Sequence, residues 1–118
     1  MTVPRIDSSL LLLITGDGMG RGDSVLRRKS IDTYLFLLDE NNMLPGTICF
    51  YTDGVKLVVE GSSVLDSLRT FESKGVRLII CKTCLDHYGL TDNVQVGKVG
   101  GMMDIITAQW EAKRVITL

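Results

Sequence analysis

Several features that mark common protein classes are scarce in these 118 residues. The formal net charge is −1, so the chain lacks the positive field that drives sequence-independent binding to nucleic acid or anionic membrane. The longest purely apolar run, Leu10 to Ile14, is five residues. A bilayer span takes about 20 residues, and a run of five is also too short for a signal-peptide core. A cytoplasmic protein is therefore expected. Three cysteines are an odd number, and a chain of this size does not need stapling, so a secreted disulfide framework is not expected and the thiols are read as reduced. Two prolines, Pro4 and Pro45, precede apolar segments, and neither repeats nor low-complexity tracts mark a linker. What remains is 45% hydrophobic residues and 12 glycines, enough for one domain over residues 1–118 with an adequate core.

Hydrophobic periodicity then organises the chain. Ser9 to Thr15 reads as a strand buried on both faces, ending in the glycine-rich loop Gly16 to Gly22. Asp23 caps a helix whose stripe is Ile31, Tyr34, Leu35 and Leu38, closed by Asn41, Asn42 and Pro45. Gly46 to Thr52 reads as a second strand, with Cys49 facing the core and Asp53-Gly54 as a turn. Ser62 or Ser63 opens a helix lined by Val64, Leu65, Leu68 and Phe71, with Asp66 placed for a capping box and Gly75 as terminator. Val76 to Ile80 is a third strand. Leu85 to Tyr88 is a helical turn closed by Gly89, and Val94 to Val96 a short strand. Met102, Ile105, Ile106 and Trp110 stripe a last helix before the strand Arg114 to Leu118. Alternating strands and helices predict an α/β fold, a three-layer sandwich with a mainly parallel sheet of about five strands. Functional loops in such sheets gather at the carboxyl ends of the strands, where Gly16 to Gly22, Asp53 to Lys56 and Cys81 to His87 all fall.

Cys81-Lys82-Thr83-Cys84 is the sharpest motif. A thiol where a strand enters a helical turn meets backbone N–H groups, and Lys82 adds a positive charge, which together favour thiolate. The second sulfur can resolve a disulfide or a mixed intermediate, as sulfur-transfer or redox chemistry requires. In the competing reading Cys81 closes the strand as a small core residue and only Cys84 sees solvent. His87 extends the spacing toward a zinc site but leaves the fourth ligand unassigned, so no metal is expected. As a lone histidine it reads as a surface or capping residue. Arg21 and Asp23 break the dinucleotide-binding glycine spacing, and no Gly-Lys-Ser/Thr follows, so no nucleotide cofactor is expected. Asp53-Gly54-Val55-Lys56-Leu57-Val58-Val59 stays apolar beyond the turn and needs cover, from its own chain or from another subunit. Arg27-Arg28-Lys29 reads as a solvated face.

The segments Leu12-Leu13-Ile14-Thr15, Gly20-Arg21-Gly22-Asp23, Asp53-Gly54-Val55-Lys56-Leu57, Gly61-Ser62 and Gly75-Val76 carry a resemblance. So does Cys81-Lys82-Thr83-Cys84-Leu85-Asp86-His87-Tyr88-Gly89-Leu90, followed by Val96-Gly97. Over nearly the whole chain the sequence resembles the DsrE/DsrF-like group, most closely the carboxyl-terminal domain of YedF-type selenium metabolism proteins. The resemblance implies a parallel-sheet fold, homo-oligomers, and sulfur-donor and sulfur-acceptor proteins as partners. It also implies a relay role in which a cysteine carries sulfane sulfur as a persulfide. Cys81 is the implied carrier, because it stands eight residues before Gly89, and Cys84 matches the second cysteine of two-cysteine members. Lys82 replaces the usual glycine of Cys-Gly-Thr-Cys, and Gly101-Met102 replaces the usual Asn-Met. The sulfur-carrier domain that often precedes this one in YedF proteins does not occur within these residues. The expected function is thus a cytoplasmic sulfur or selenium relay, without cofactor, nucleic acid or membrane. A small-ligand-binding module, a thiol-disulfide redox module and a structural subunit of a hetero-oligomer are the alternatives.

Overall fold

The apolar run near the start of the chain becomes a central strand of a five-stranded parallel sheet. The computed structural model describes residues 5–118; Pro4 lies outside them. Strand β1 (Ile6–Ile14) pairs with β2 (Leu44–Phe50) on one side and β5 (Arg114–Thr117) on the other. Strands β3 (Arg77–Cys81) and β4 (Lys98–Gly100) extend the sheet to the order β4-β3-β2-β1-β5. Leu11 to Ile14 are buried because β1 has a neighbour on each side and a helical layer on each face.

The order of strands dictates where the helices go. From β1 to β4 the chain steps across the sheet in one direction, and right-handed crossovers then put their helices on one face. Helices α1 (Ser24–Glu40) and α2 (Leu65–Ser73) pack together there, and Tyr34 and Leu38 of α1 face Leu10 and Leu12. The step from β4 back to β5 reverses direction, so α4 (Met102–Glu111) crosses the other face, against β1, β3 and β4. The short α3 (Lys82–Tyr88) lies at the carboxyl edge.

Local chemistry explains most boundaries. The Asp23 carboxylate accepts the Val25 and Leu26 N–H groups at 3.0 and 3.1 Å, capping α1. Ile31 and Leu35 are buried on its inner stripe. Gly89 ends α3 in the left-handed conformation, with φ 65°.

Four expectations shift. The capping box at Ser63 and Asp66 does not form: Ser63 donates to Asp32 at 2.8 Å, Asp66 approaches Arg69 at 3.8 Å, and Ser62 accepts the Val64 N–H instead. Strand β4 lies at Lys98–Gly100, whereas Val94 forms only an isolated antiparallel bridge to Val59. The second strand stops at Phe50, and Thr52–Leu57 winds into a 3-10 helix. Its Val55 and Leu57, with Val58 and Val59 after it, are buried by the chain's own core, so no second subunit is needed to cover them. Of the last helix's stripe only Ile105 is buried.

Candidate functional site

The site grows from the ends of the three strands at the sheet's centre. Strand β3 is covered on both faces, so its last residue, Cys81, is buried as deeply as the core residues before it, with 1% of its surface exposed. The chain then turns into α3, which carries Cys84 one turn on, half-buried. The two Sγ atoms are 3.1 Å apart. The expected pair is therefore real in space, but solvent reaches it through Cys84.

The 3-10 helix Thr52–Leu57 closes over this pair from the end of β2. Gly54 permits it: a Cβ there would stand 2.1 Å from the Ile14 carbonyl oxygen, so only glycine lets the segment lie on the end of β1. Its first residue, Thr52, points its N–H at Cys84 Sγ, 3.0 Å away. The Thr52 hydroxyl reaches the Thr15 carbonyl oxygen at 2.6 Å, tying the ends of β1 and β2 together. Beside them, Tyr88 donates its phenolic O–H to Asp53, and the Lys56 ammonium lies 3.3 Å from Asp53 and 4.4 Å over the Tyr88 ring. The bond from Tyr88 holds the Asp53 carboxyl below the usual carboxylate range, and the same bond pushes the Tyr88 phenol up.

The electrostatics at the sulfur differ from the expectation that thiolate is favoured. Desolvation pushes the Cys84 thiol above its ordinary value, and the hydrogen bond with Cys81 adds to that, while the Thr52 N–H pulls the other way. Lys82 does not face the sulfurs, because its ammonium is paired with Asp86 at 2.7 Å. This i, i+4 pair satisfies it along the helix surface. The site is thus a weakly acidic thiol met by the Thr52 N–H from the facing segment.

The remaining candidates take structural parts. In the glycine loop, Asp17 meets Arg27 at 3.0 Å and Arg28 at 3.9 Å, while the Met19 N–H bonds the Arg27 carbonyl. The loop is folded back on α1, and Gly18 allows it, since a Cβ there would stand 2.7 Å from the Arg27 Cβ. The Arg27 and Arg28 side chains accordingly serve the loop. His87 packs edge-on against Tyr88 at 5.0 Å. Among the described residues no three His, Cys, Asp or Glu side chains converge as a metal-binding group. Cys49 is buried in the core. At Gly101 the N–H is bonded by the Asp104 carboxylate at 2.8 Å, which caps α4 from within the helix.

Sequence reasoning missed Thr52 and Tyr88. Tyr88 carried a signal, since it follows Cys84 by four residues and shares its helix face. Thr52 carried none, because its N–H is a main-chain group and its hydroxyl bonds Thr15, a partner distant in sequence.

Comparisons with known proteins agree with this architecture. No curated protein matches the sequence significantly. Among solved structures, the ychN protein from E. coli is 16% identical and superposes with a TM-score of 0.69 over 94% of this chain and 99% of that one. MTH1491 from Methanobacterium thermoautotrophicum, a protein of unknown function, is 19% identical with a TM-score of 0.68, covering 95% and 100% of the two chains. BT1422 from Bacteroides thetaiotaomicron, a conserved protein of unknown function, is 13% identical with a TM-score of 0.63, covering 93% and 95%. At these identities the likeness is one of fold. A family model supplies the relationship: it matches residues 27–118, well over half the sequence, and the chain belongs to the DsrE/DsrF-like family.

Proposed function

We propose that this protein is a sulfur or selenium relay that takes up a chalcogen atom as a persulfide on the Cys81–Cys84 pair. The observation that carries the reading is the pair itself: two free thiols 3.1 Å apart at the carboxyl edge of a parallel sheet, one half-buried and met by a backbone N–H, the other sealed behind it. Its resemblance to YedF-type proteins supports the chemistry and implies Cys81 as the carrier, a role that in this proposal is reached only after uptake at Cys84. The burial of Cys81 assigns first contact to Cys84, because a donor's persulfide must touch the thiol that attacks it.

Cys84 thiolate attacks the outer sulfur of the donor, the donor's S–S bond breaks, and the donor leaves as a thiol after taking a proton. Cys84 then holds the sulfane sulfur as a persulfide, with no net oxidation. From there the atom passes to an acceptor thiolate, or to Cys81 by the same exchange across the gap. If Cys81 thiolate instead attacks the inner sulfur, a Cys81–Cys84 disulfide forms and hydrosulfide departs.

Intact-mass analysis after incubation with a persulfide donor tests the reading. Wild type should gain the mass of one sulfur atom, Cys84→Ser should gain none, and Cys81→Ser should keep its adduct longer, because release by disulfide formation is blocked. A wild type that never gains sulfur, or a Cys84→Ser variant that gains it as fast as wild type, overturns the assignment. The short sulfur separation also suits a thiol-disulfide redox module. Reversible disulfide formation without any sulfur adduct would favour that reading.

The partners in this proposal are a sulfur-donor and a sulfur-acceptor protein, in a reducing compartment such as the cytoplasm that keeps the thiols free. No helix among the described residues is long and apolar enough to cross a membrane. Assembly into a homo-oligomer belongs to the same proposal and is supported by α4, which leaves Met102, Met103, Ile106 and Trp110 exposed.

A further inference from the structure

Thr52 combines two features that do not ordinarily go together. It is β-branched, yet its φ is 50°, in the left-handed region that β-branched residues avoid. It is also the residue whose N–H meets the half-buried sulfur, at 3.0 Å. The chain has to turn sharply after Phe50 so that this N–H faces α3 while the following residues run back over the end of β1. Glycine would allow the turn freely, but threonine brings a hydroxyl. That hydroxyl lies 2.6 Å from the Thr15 carbonyl oxygen and 2.7 Å from the Tyr51 carbonyl oxygen, so it is anchored to the neighbouring strand's end. Backbone bonds frame the turn: Tyr51 N–H to the Ile14 carbonyl at 3.2 Å, and Gly54 N–H to the Tyr51 carbonyl at 3.0 Å. An unfavourable conformation held at a reactive group by its own side chain points to a function for that conformation.

We propose that Thr52 is a positioning residue for the Cys84 sulfur, its hydroxyl tether to Thr15 holding the left-handed turn so that its own N–H stabilises negative charge on that sulfur. A hydrogen bond to an ionised acceptor is stronger than one to a neutral acceptor, so the donor favours the thiolate over the thiol. Besides this donor, the Cys84 backbone N–H also favours the charged sulfur and Cys81 opposes it, while the lysines of the site are engaged with other partners. Lys82 is held by Asp86, and Lys56 is engaged by Asp53 and the Tyr88 ring. For the relay chemistry the inference rests on the function proposed above, where the same N–H would also stabilise the persulfide anion. The positioning itself can be measured without any sulfur donor.

The experiment is the pH dependence of Cys84 alkylation by iodoacetamide, in which the thiolate displaces iodide from carbon, with the modified residue located by peptide mass mapping. Thr52→Val keeps the branched shape and loses the hydroxyl. It should slow alkylation near neutral pH by about three- to tenfold and move the midpoint of the profile up by about half to one pH unit. Thr52→Ser keeps the tether and should follow wild type. Thr52→Gly takes the turn without strain but lacks the tether, so it should shift in the same direction as Thr52→Val even if the valine variant folds poorly. A glycine or valine profile superimposed on wild type, or a serine profile displaced as far as theirs, overturns the inference. Shifted profiles in a protein that never gains sulfur would remove the relay and keep the positioning role. Sulfur uptake with unshifted profiles would do the reverse.

Discussion

Cys49 and Cys84 lie on adjoining parts of one molecule, yet their surroundings give them different work. Cys49 is in the core between β1 and β3, where burial pushes its thiol up to about 11 while Arg77 offsets part of the effect. The folded protein keeps that proton where the unfolded chain has lost it, so stability falls as pH rises from the ordinary thiol value of 9.0 toward about 11. The loss should approach about 1.4 kcal/mol per pH unit within that window and be absent below it. Urea denaturation of wild type and Cys49→Ala across the window checks this, and equal slopes for the two proteins would refute it. At Cys84 desolvation is partial, and a donor within hydrogen-bond distance leaves a thiol that can still be ionised for chemistry.

Elements set how much of this was legible beforehand. The strands β1, β2 and β3 announce themselves as apolar runs, and α1 by its stripe and its Asp23 cap, since burial on a period and a capping carboxylate are local properties of sequence. The cysteine pair was placed at the right edge for the same reason. The sequence offered both answers to which sulfur faces water, and the competing one, with Cys81 in the core and only Cys84 reaching solvent, is what the fold shows; choosing between them depends on what covers the end of β3. The cover is the 3-10 helix, whose path follows from contacts between distant segments: Gly54 against Ile14, Thr52 against Thr15 and Cys84. Asp53-Gly54 did signal a turn, but glycine is required there for close approach to β1. Gly54→Ala should therefore cost about 2–4 kcal/mol in chemical denaturation, since both atoms it would strike are backbone and neither strand end can yield. A loss too small to measure would mean that the helix rides freely over the sheet edge. Ser63 and Asp66 matched a capping-box spacing and formed none, because Asp32 across the helix pair offers Ser63 a partner.

At the scale of the whole molecule, the reversal at β5 leaves α4 as the principal cover on its face, and that helix is apolar on its outer side too. Trp110 is 83% exposed and Met103 67%. A surface of that kind is costly in water and is stabilised by association. If α4 is the contact between copies, Trp110→Glu should bring the mass measured by light scattering down to that of a single 13.0 kDa chain. A wild type that is already monomeric, or a variant with the wild-type mass, would remove α4 from the assembly. The last residues have a separate bearing on such experiments. Leu118 donates its N–H to Leu13, and its carbonyl oxygen accepts from the Thr15 hydroxyl at 3.3 Å, next to the anchor of Thr52. Because every strand runs the same way, anything appended after Leu118 begins at the carboxyl rim of the sheet, the rim that also carries the reactive sulfur. Anything placed ahead of β1 begins at the opposite rim, so a purification handle there leaves the approach to Cys84 open.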